Sequence, residues 1–157
     1  MRVIPQNNCY IIEVIYEQKE EKIKAETEKI AGIDLGINNL IALTSNQLGL
    51  SPILINGRVL KSINQFYNLR KAKLQKQLPS LKYWSNRLSE LTRKREQKIN
   101  NYFHKVSNYL VNLLLEYNID TLVIGKNKNW KQNCNLGKRN NQNFTSIPHQ
   151  KLIEKIK

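Results

Sequence analysis

The sequence predicts an α/β fold, and three observations carry that expectation. Two apolar runs, Ile30 to Ile33 and Leu40 to Leu43, are separated by Gly36 and the pair Asn38 and Asn39. A stretch from Leu81 to Tyr117 has no Pro or Gly and carries apolar residues at three- and four-residue spacing. A short apolar run, Thr121 to Ile124, follows it. The 157 residues suffice for one domain with a real core and are too few for two comfortable ones.

Residues 1–28 contain one β-rich run, Cys9 to Tyr16, and then a Lys/Glu stretch from Glu17 to Glu28. That run is read as a strand with no partner nearby, part of a sheet that is missing or lies elsewhere. Lys29 to Thr44 is read as a β-hairpin, because Gly and Asn accept the positive φ that tight turns require. Pro52 to Gly57 adds a third strand and so an antiparallel meander. Lys61 to Gln77 has helical spacing through Ile63, Phe66, Tyr67, Leu69 and Leu74 until Pro79 interrupts it. In the second half of the next helix, Ile99, Tyr102, Phe103, Val106, Tyr109, Leu110, Leu113, Leu114 and Tyr117 form a stripe facing a core. Tyr83 and Trp84 are expected to pack the junction after Pro79. Thr121 to Gly125 is a short buried strand. Lys126 to Ser146 reads as a long polar loop, of a length that in a compact domain is usually functional or disordered, and Ile147-Pro148 opens a last helix from His149 to Lys157.

The net charge of +14 is concentrated rather than general. Arg58 to Lys105 holds 13 Lys/Arg and 2 Glu, and Lys126 to Arg139 holds 5 basic residues and no acid. The remainder is slightly acidic. Such segments form a footprint for a polyanion, since neutralising phosphates releases condensed counterions. The basic segments lack the large apolar face of an interfacial helix, so nucleic acid is favoured over a membrane surface. No apolar run reaches the roughly 18 residues of a membrane span, and the N-terminal residues show no signal-peptide pattern, so an intracellular protein is expected. Lys71, Lys73, Arg87, Arg93, Lys94 and Arg95 are the candidate phosphate contacts in the first basic segment. Lys126, Lys128, Lys131, Lys138 and Arg139 are those in the second. Trp130 and Phe144 either stack on bases or anchor the loop.

Asp34 stands inside an apolar strand, where a carboxylate is costly to bury unless something pairs with it. A hard divalent cation is a fitting partner; the alternative is an aspartate facing solvent or capping a turn. His104, beside the core-facing stripe, is read as structural. Cys9 and Cys134 are far apart and in no CxxC pair, so they form neither a disulfide framework nor a zinc site.

The predicted order, three strands, two helices, a strand, a loop and a helix, resembles the first two thirds of a ribonuclease-H-like fold. Four segments together resemble the transposon-encoded TnpB proteins, the OrfB-type transposases related to type V CRISPR effectors. They are Ala31-Gly-Ile-Asp-Leu-Gly-Ile-Asn-Asn39, Leu54 to Gln65, Asn100 to Ser107, and Ile124 to Gln132 continuing through Gly137 to Phe144.

The resemblance implies a RuvC-like nuclease domain, incomplete here, at 29–157, with a basic helical insertion at about 61–118. Residues 1–28 would end an adjoining β-barrel-like module. It implies RNA-guided DNA cleavage in full-length members, with guide RNA and DNA as partners, in a prokaryotic cytoplasm near the nucleoid. It also implies two Mg²⁺ or Mn²⁺ ions held by three carboxylates, the first matching Asp34, because two-metal hydrolysis must bind both the attacking and the leaving oxygen. The second carboxylate falls at about Gly125, which is not acidic. Asp120 and Glu116 are the nearest substitutes, each with a plainer reading as a turn residue and a surface charge. The third carboxylate and the zinc-binding cysteines belong to a C-terminal part that this chain lacks. The expectation is therefore a truncated, cleavage-deficient relative. Alternatives are an inactive guide-RNA- or DNA-binding module and a non-functional remnant.

Overall fold

The computed structural model describes residues 1–6, 9–17, 28–126 and 146–157. Its elements are β1 (Arg2–Gln6), β2 (Cys9–Glu13), β3 (Ile30–Leu35), β4 (Asn39–Ser45), β5 (Ile53–Asn56), α1 (Arg58–Lys76), α2 (Asn86–Glu116), β6 (Thr121–Ile124) and α3 (His149–Ile156).

The strand at Cys9 does have a local partner, which corrects the sequence reading. β1 and β2 pair antiparallel from Arg2↔Glu13 to Gln6↔Cys9, with Arg2 Nε 3.3 Å from Glu13 Oε2. β1 was hidden by its shortness and by Pro5, which removes one ladder donor. The hairpin is a separate two-stranded sheet.

The main sheet has the order β5-β4-β3-β6. β3, β4 and β5 form the expected antiparallel meander, and β6 joins β3 in parallel, from Ile30↔Thr121 to Ile33↔Ile124. Within β3 the two-residue period turns Ala31, Ile33 and Leu35 inward, where they are at most 4% exposed. The same alternation turns Asp34 to the opposite, exposed face. Asp34 is therefore not buried in a core strand, and it incurs no burial cost.

Among the described residues the helices lie against the inward face. The α2 stripe Ile99, Phe103, Val106, Leu110 and Leu113 packs with Leu40, Ile41 and Leu43 of β4, Leu60 of α1, and Leu152 and Ile153 of α3. Each such side chain contributes roughly 1.5–3 kcal/mol by leaving water. Among the described residues the other sheet face is uncovered, with Leu54 and Val123 65% and 55% exposed. No helix among the described residues is long and apolar enough to cross a membrane.

α2 begins at Asn86 rather than Leu81, because Ser85 supplies an N-cap: its hydroxyl accepts the Leu88 N–H at 3.3 Å. Trp84 Nε1 donates to Ser89 Oγ at 2.8 Å, whereas Tyr83 is exposed, contrary to its expected packing role. α2 stops in a Schellman motif, with Asn118 at φ 52°, Asn118 N–H to Leu115 O at 3.1 Å, and Ile119 N–H to Leu114 O at 2.8 Å. That turn aims the chain into β6. Tyr109 and the α1 residues Phe66 and Leu69 lie outside the core; Leu60 and Asn64 are the buried positions of α1.

Candidate nucleic-acid interface and the Asp34 end of the sheet

The turn after β3 brings three other elements to the Asp34 end. Gly36 N–H closes it on Leu40 O at 3.2 Å. Gly57, which caps α1, donates its N–H to Asn38 O at 2.7 Å, and Lys61 Nζ reaches Asn38 Oδ1 at 2.9 Å. From α3, the buried His149 holds Gly36 O with Nε2 at 3.0 Å; a carbonyl only accepts, so this nitrogen carries the proton.

β6 delivers Gly125 to the same end. Its N–H donates to Ile33 O at 2.9 Å, and a Cβ built on it lies 3.6 Å from Asp34 Oδ1. Positions 34 and 125 are neighbours across the parallel ladder, and the second is glycine. Asp120 and Glu116 do not substitute. Asp120 N–H bonds Lys29 O at the other end of β6, and the four-residue strand between, five residue steps in all, separates it from Gly125 by about 16 Å. Glu116 ends α2, one turn earlier still. Among the described residues no three His, Cys, Asp or Glu side chains cluster so as to hold a metal. The two-metal set implied by the resemblance does not fit these donors.

The basic residues fall on α1 and α2, which run antiparallel: Asn64 pairs with Arg95 and Tyr67 with Thr92, so partner numbers fall along α2 as they rise along α1. Between them a groove of about 500 Å³ is lined by Phe66, Arg70, Lys73, Arg87, Glu90 and Lys94, among others. Lys94 Nζ lies 2.6 Å from Glu90 Oε1 and, through that hydrogen bond and its charge, holds the Glu90 carboxyl below the usual carboxylate range. Lys73, Arg87 and Lys94, singled out from sequence, therefore share one surface. Arg70 joins them without having been singled out; its i, i+3 spacing to Lys73 was the available signal.

The other candidates diverge. Arg95 is half-buried and structural: Nε donates to Asn64 Oδ1 at 2.6 Å, Nη2 to Ser146 O at 2.9 Å, and its guanidinium lies 5.0 Å from the Tyr67 ring centre. Lys71 lies 6.0 Å from the Tyr67 ring centre. Arg93 faces a different cavity, of about 620 Å³, shared with Tyr10 of β2 and Lys151 of α3. Lys126 Nζ donates to Gln150 Oε1 at 2.7 Å. His104 is exposed and meets Lys155 Nζ at 2.9 Å. Cys9 Sγ lies 2.9 Å from Gln6 O. Lys128, Trp130, Lys131, Cys134, Lys138, Arg139 and Phe144 lie outside the described residues.

Fold and surface together define an α/β protein with one carboxylate at a sheet end and a cationic helical pair beside it. Residues 13–131 match the family OrfB_IS605, described as "Probable transposase". The chain belongs to this family, that of the TnpB proteins. Its fold is similar to part of Cas12f1 in a cryo-EM structure of the Cas12f1–sgRNA–target DNA complex, with a TM-score of 0.61 at 16% identity. The similarity covers 85% of this chain and 33% of the Cas12f1 chain. No curated protein matches the sequence.

Proposed function

We propose that this chain is a nucleic-acid-binding member of the transposon-encoded TnpB family whose ribonuclease-H-like (RuvC) sheet end has lost the donors for DNA cleavage. The groove carrying Arg70, Lys73, Arg87 and Lys94 supports the binding half of this reading. Guide RNA or target DNA, the partners of Cas12f1 in its complex, would lie along it by phosphate contacts, which follow backbone shape rather than sequence.

The glycine beside Asp34 supports the other half. Mg²⁺ or Mn²⁺ catalysis of phosphodiester hydrolysis asks for carboxylates that bridge and flank two ions. Position 125 supplies no side-chain carboxylate, and Asp34 alone is one exposed carboxylate ligand. Binding without cleavage is the resulting activity.

Anisotropy titrations of a labelled single-stranded RNA between about 50 and 200 mM salt test the binding half. Each neutralised phosphate contributes about 0.7 to the slope of log K against log salt for a single strand, so Lys73→Gln/Arg87→Gln/Lys94→Gln should flatten it by about 2. An unchanged slope, or no binding by the parent chain, refutes the assignment.

A further inference from the structure

Phe66 stands among the cations of the α1–α2 groove while remaining 52% exposed. It is not a core residue that failed to pack. The next residue, Tyr67, is the one turned against α2, its hydroxyl 3.1 Å from Thr92 Oγ1. Phe66 instead heads a separate face of α1: Phe66, Arg70, Lys73 and Gln77 follow at four-, three- and four-residue steps and all line the groove. At 1.5 Å per residue this row is about 16 Å long, roughly the span of four or five stacked nucleotides at 3.4 Å each.

Two cations hover at the ring. The Arg70 guanidinium carbon lies 5.5 Å from the Phe66 ring centre, and Lys98 Nζ lies 6.0 Å from it. An aromatic face bracketed by cations suits a ligand that offers both a π-face and adjacent negative charge. A nucleobase meets that description, since every base has a π-face and a neighbouring phosphate. A base that takes one face of the ring displaces the cation from it, and that cation is then free for the adjacent phosphate. In a duplex the base faces are stacked on each other and closed to such a contact.

We infer that Phe66 is a stacking platform for an unpaired base, so that the α1–α2 groove prefers single-stranded over duplex nucleic acid. This rests on the binding proposed above and adds to it a residue and a strand preference. The competing occupant of an exposed phenyl ring, a second protein surface, is an outcome of the test.

The experiment compares the parent chain with Phe66→Ala and Phe66→Trp, each titrated with a single-stranded and a duplex oligonucleotide of equal length. Phe66→Ala should lose roughly ten- to hundredfold in single-strand affinity, with its salt slope unchanged because no phosphate contact is removed, and with duplex affinity unaltered. Phe66→Trp should recover the affinity and show additional fluorescence quenching over the parent. Equal affinity of Phe66→Ala and parent for the single strand overturns the platform and leaves the cationic groove standing. Equal losses on single strand and duplex also overturn it, as does a Phe66-dependent change in sedimentation, which would make the ring a protein contact. Absence of binding by the parent removes both proposals together. Losing the half-exposed ring and its two cation contacts should lower the melt only slightly, so a large downward shift assigns Phe66 to folding and overturns the platform.

Discussion

Gly125→Glu is the substitution that most directly interrogates the Asp34 end. A Cβ at 125 would sit 3.6 Å from Asp34 Oδ1 and 3.3 Å from Ile33 O, a close but tolerable fit requiring a shift of tenths of an ångström. The new carboxylate would face Asp34. If the two groups stand roughly 5 Å apart, their repulsion amounts to about 1–3 kcal/mol between water-like and surface-like dielectric. The variant should therefore be less stable than the parent by about that amount in EDTA. A divalent cation inverts the sign, because a carboxylate pair binds it far better than Asp34 alone. At a hundred times its dissociation constant, a ligand specific to the folded state adds about 2.7 kcal/mol. Urea denaturation of parent and variant, in EDTA and in millimolar Mn²⁺, reads both terms. The expected pattern is a variant weaker in EDTA and restored by Mn²⁺, beside a parent that responds little. A variant indifferent to Mn²⁺, or one that responds equally after Asp34→Asn, would show that positions 34 and 125 do not form one site.

Two further substitutions probe what holds that end in place. Gly57 has an ordinary backbone, φ −93° and ψ −9°, yet an added Cβ would lie 2.1 Å from Ile37 O. Gly57→Ala should thus cost about 3 kcal/mol, as overpacking together with loss of the Asn38 hydrogen bond. Gly49→Ala, at φ 88° with open space around it, should cost only the roughly 1–2 kcal/mol of a left-handed backbone; equal costs would defeat the steric account. Arg95→Met should cost about 2–4 kcal/mol in chemical denaturation, since the buried Asn64 loses its donor and Tyr67 loses its cation. Arg95→Lys should recover little of that, because an ammonium cannot reproduce the two-pronged reach to Asn64 and Ser146; a near-neutral Arg95→Met would return Arg95 to the candidate phosphate contacts.

The elements that were legible in the sequence are those whose signal is periodic and local. The α2 stripe from Ile99 to Leu113 repeats with the helix and faces the core as expected. The apolar runs around Gly36 do pair as β3 and β4. Asp34 was misplaced because β3 was read as an apolar run; its strict alternation, Ala31, Ile33 and Leu35 against Gly32 and Asp34, already held the correct orientation. Phe66 and Tyr67 are adjacent, so helical spacing alone admits either as the inward residue, and only the Thr92 hydroxyl decides it. The Arg95 clamp joins Asn64, Arg95 and Ser146, residues that no local pattern relates. Tyr102 shows the same limit: it counted as one more apolar position, yet its hydroxyl donates to Asn56 O, and burial pushes its phenol above the ordinary range.

The parallel pairing of β3 with β6 also bears on how the molecule assembles in time. Ile33 and Ile124 face each other across the ladder, while about ninety residues of chain run between them. The meander and the α1–α2 pair rest on contacts much nearer in sequence, and closing a long loop is the slower step. Positions 34 and 125 thus become neighbours only when β6 docks, after the rest of the sheet exists. The Gly125 N–H, bonded to Ile33 O, is the natural clock for that event: in pulse-labelled hydrogen exchange it should gain protection later than the amides of β4 and α2.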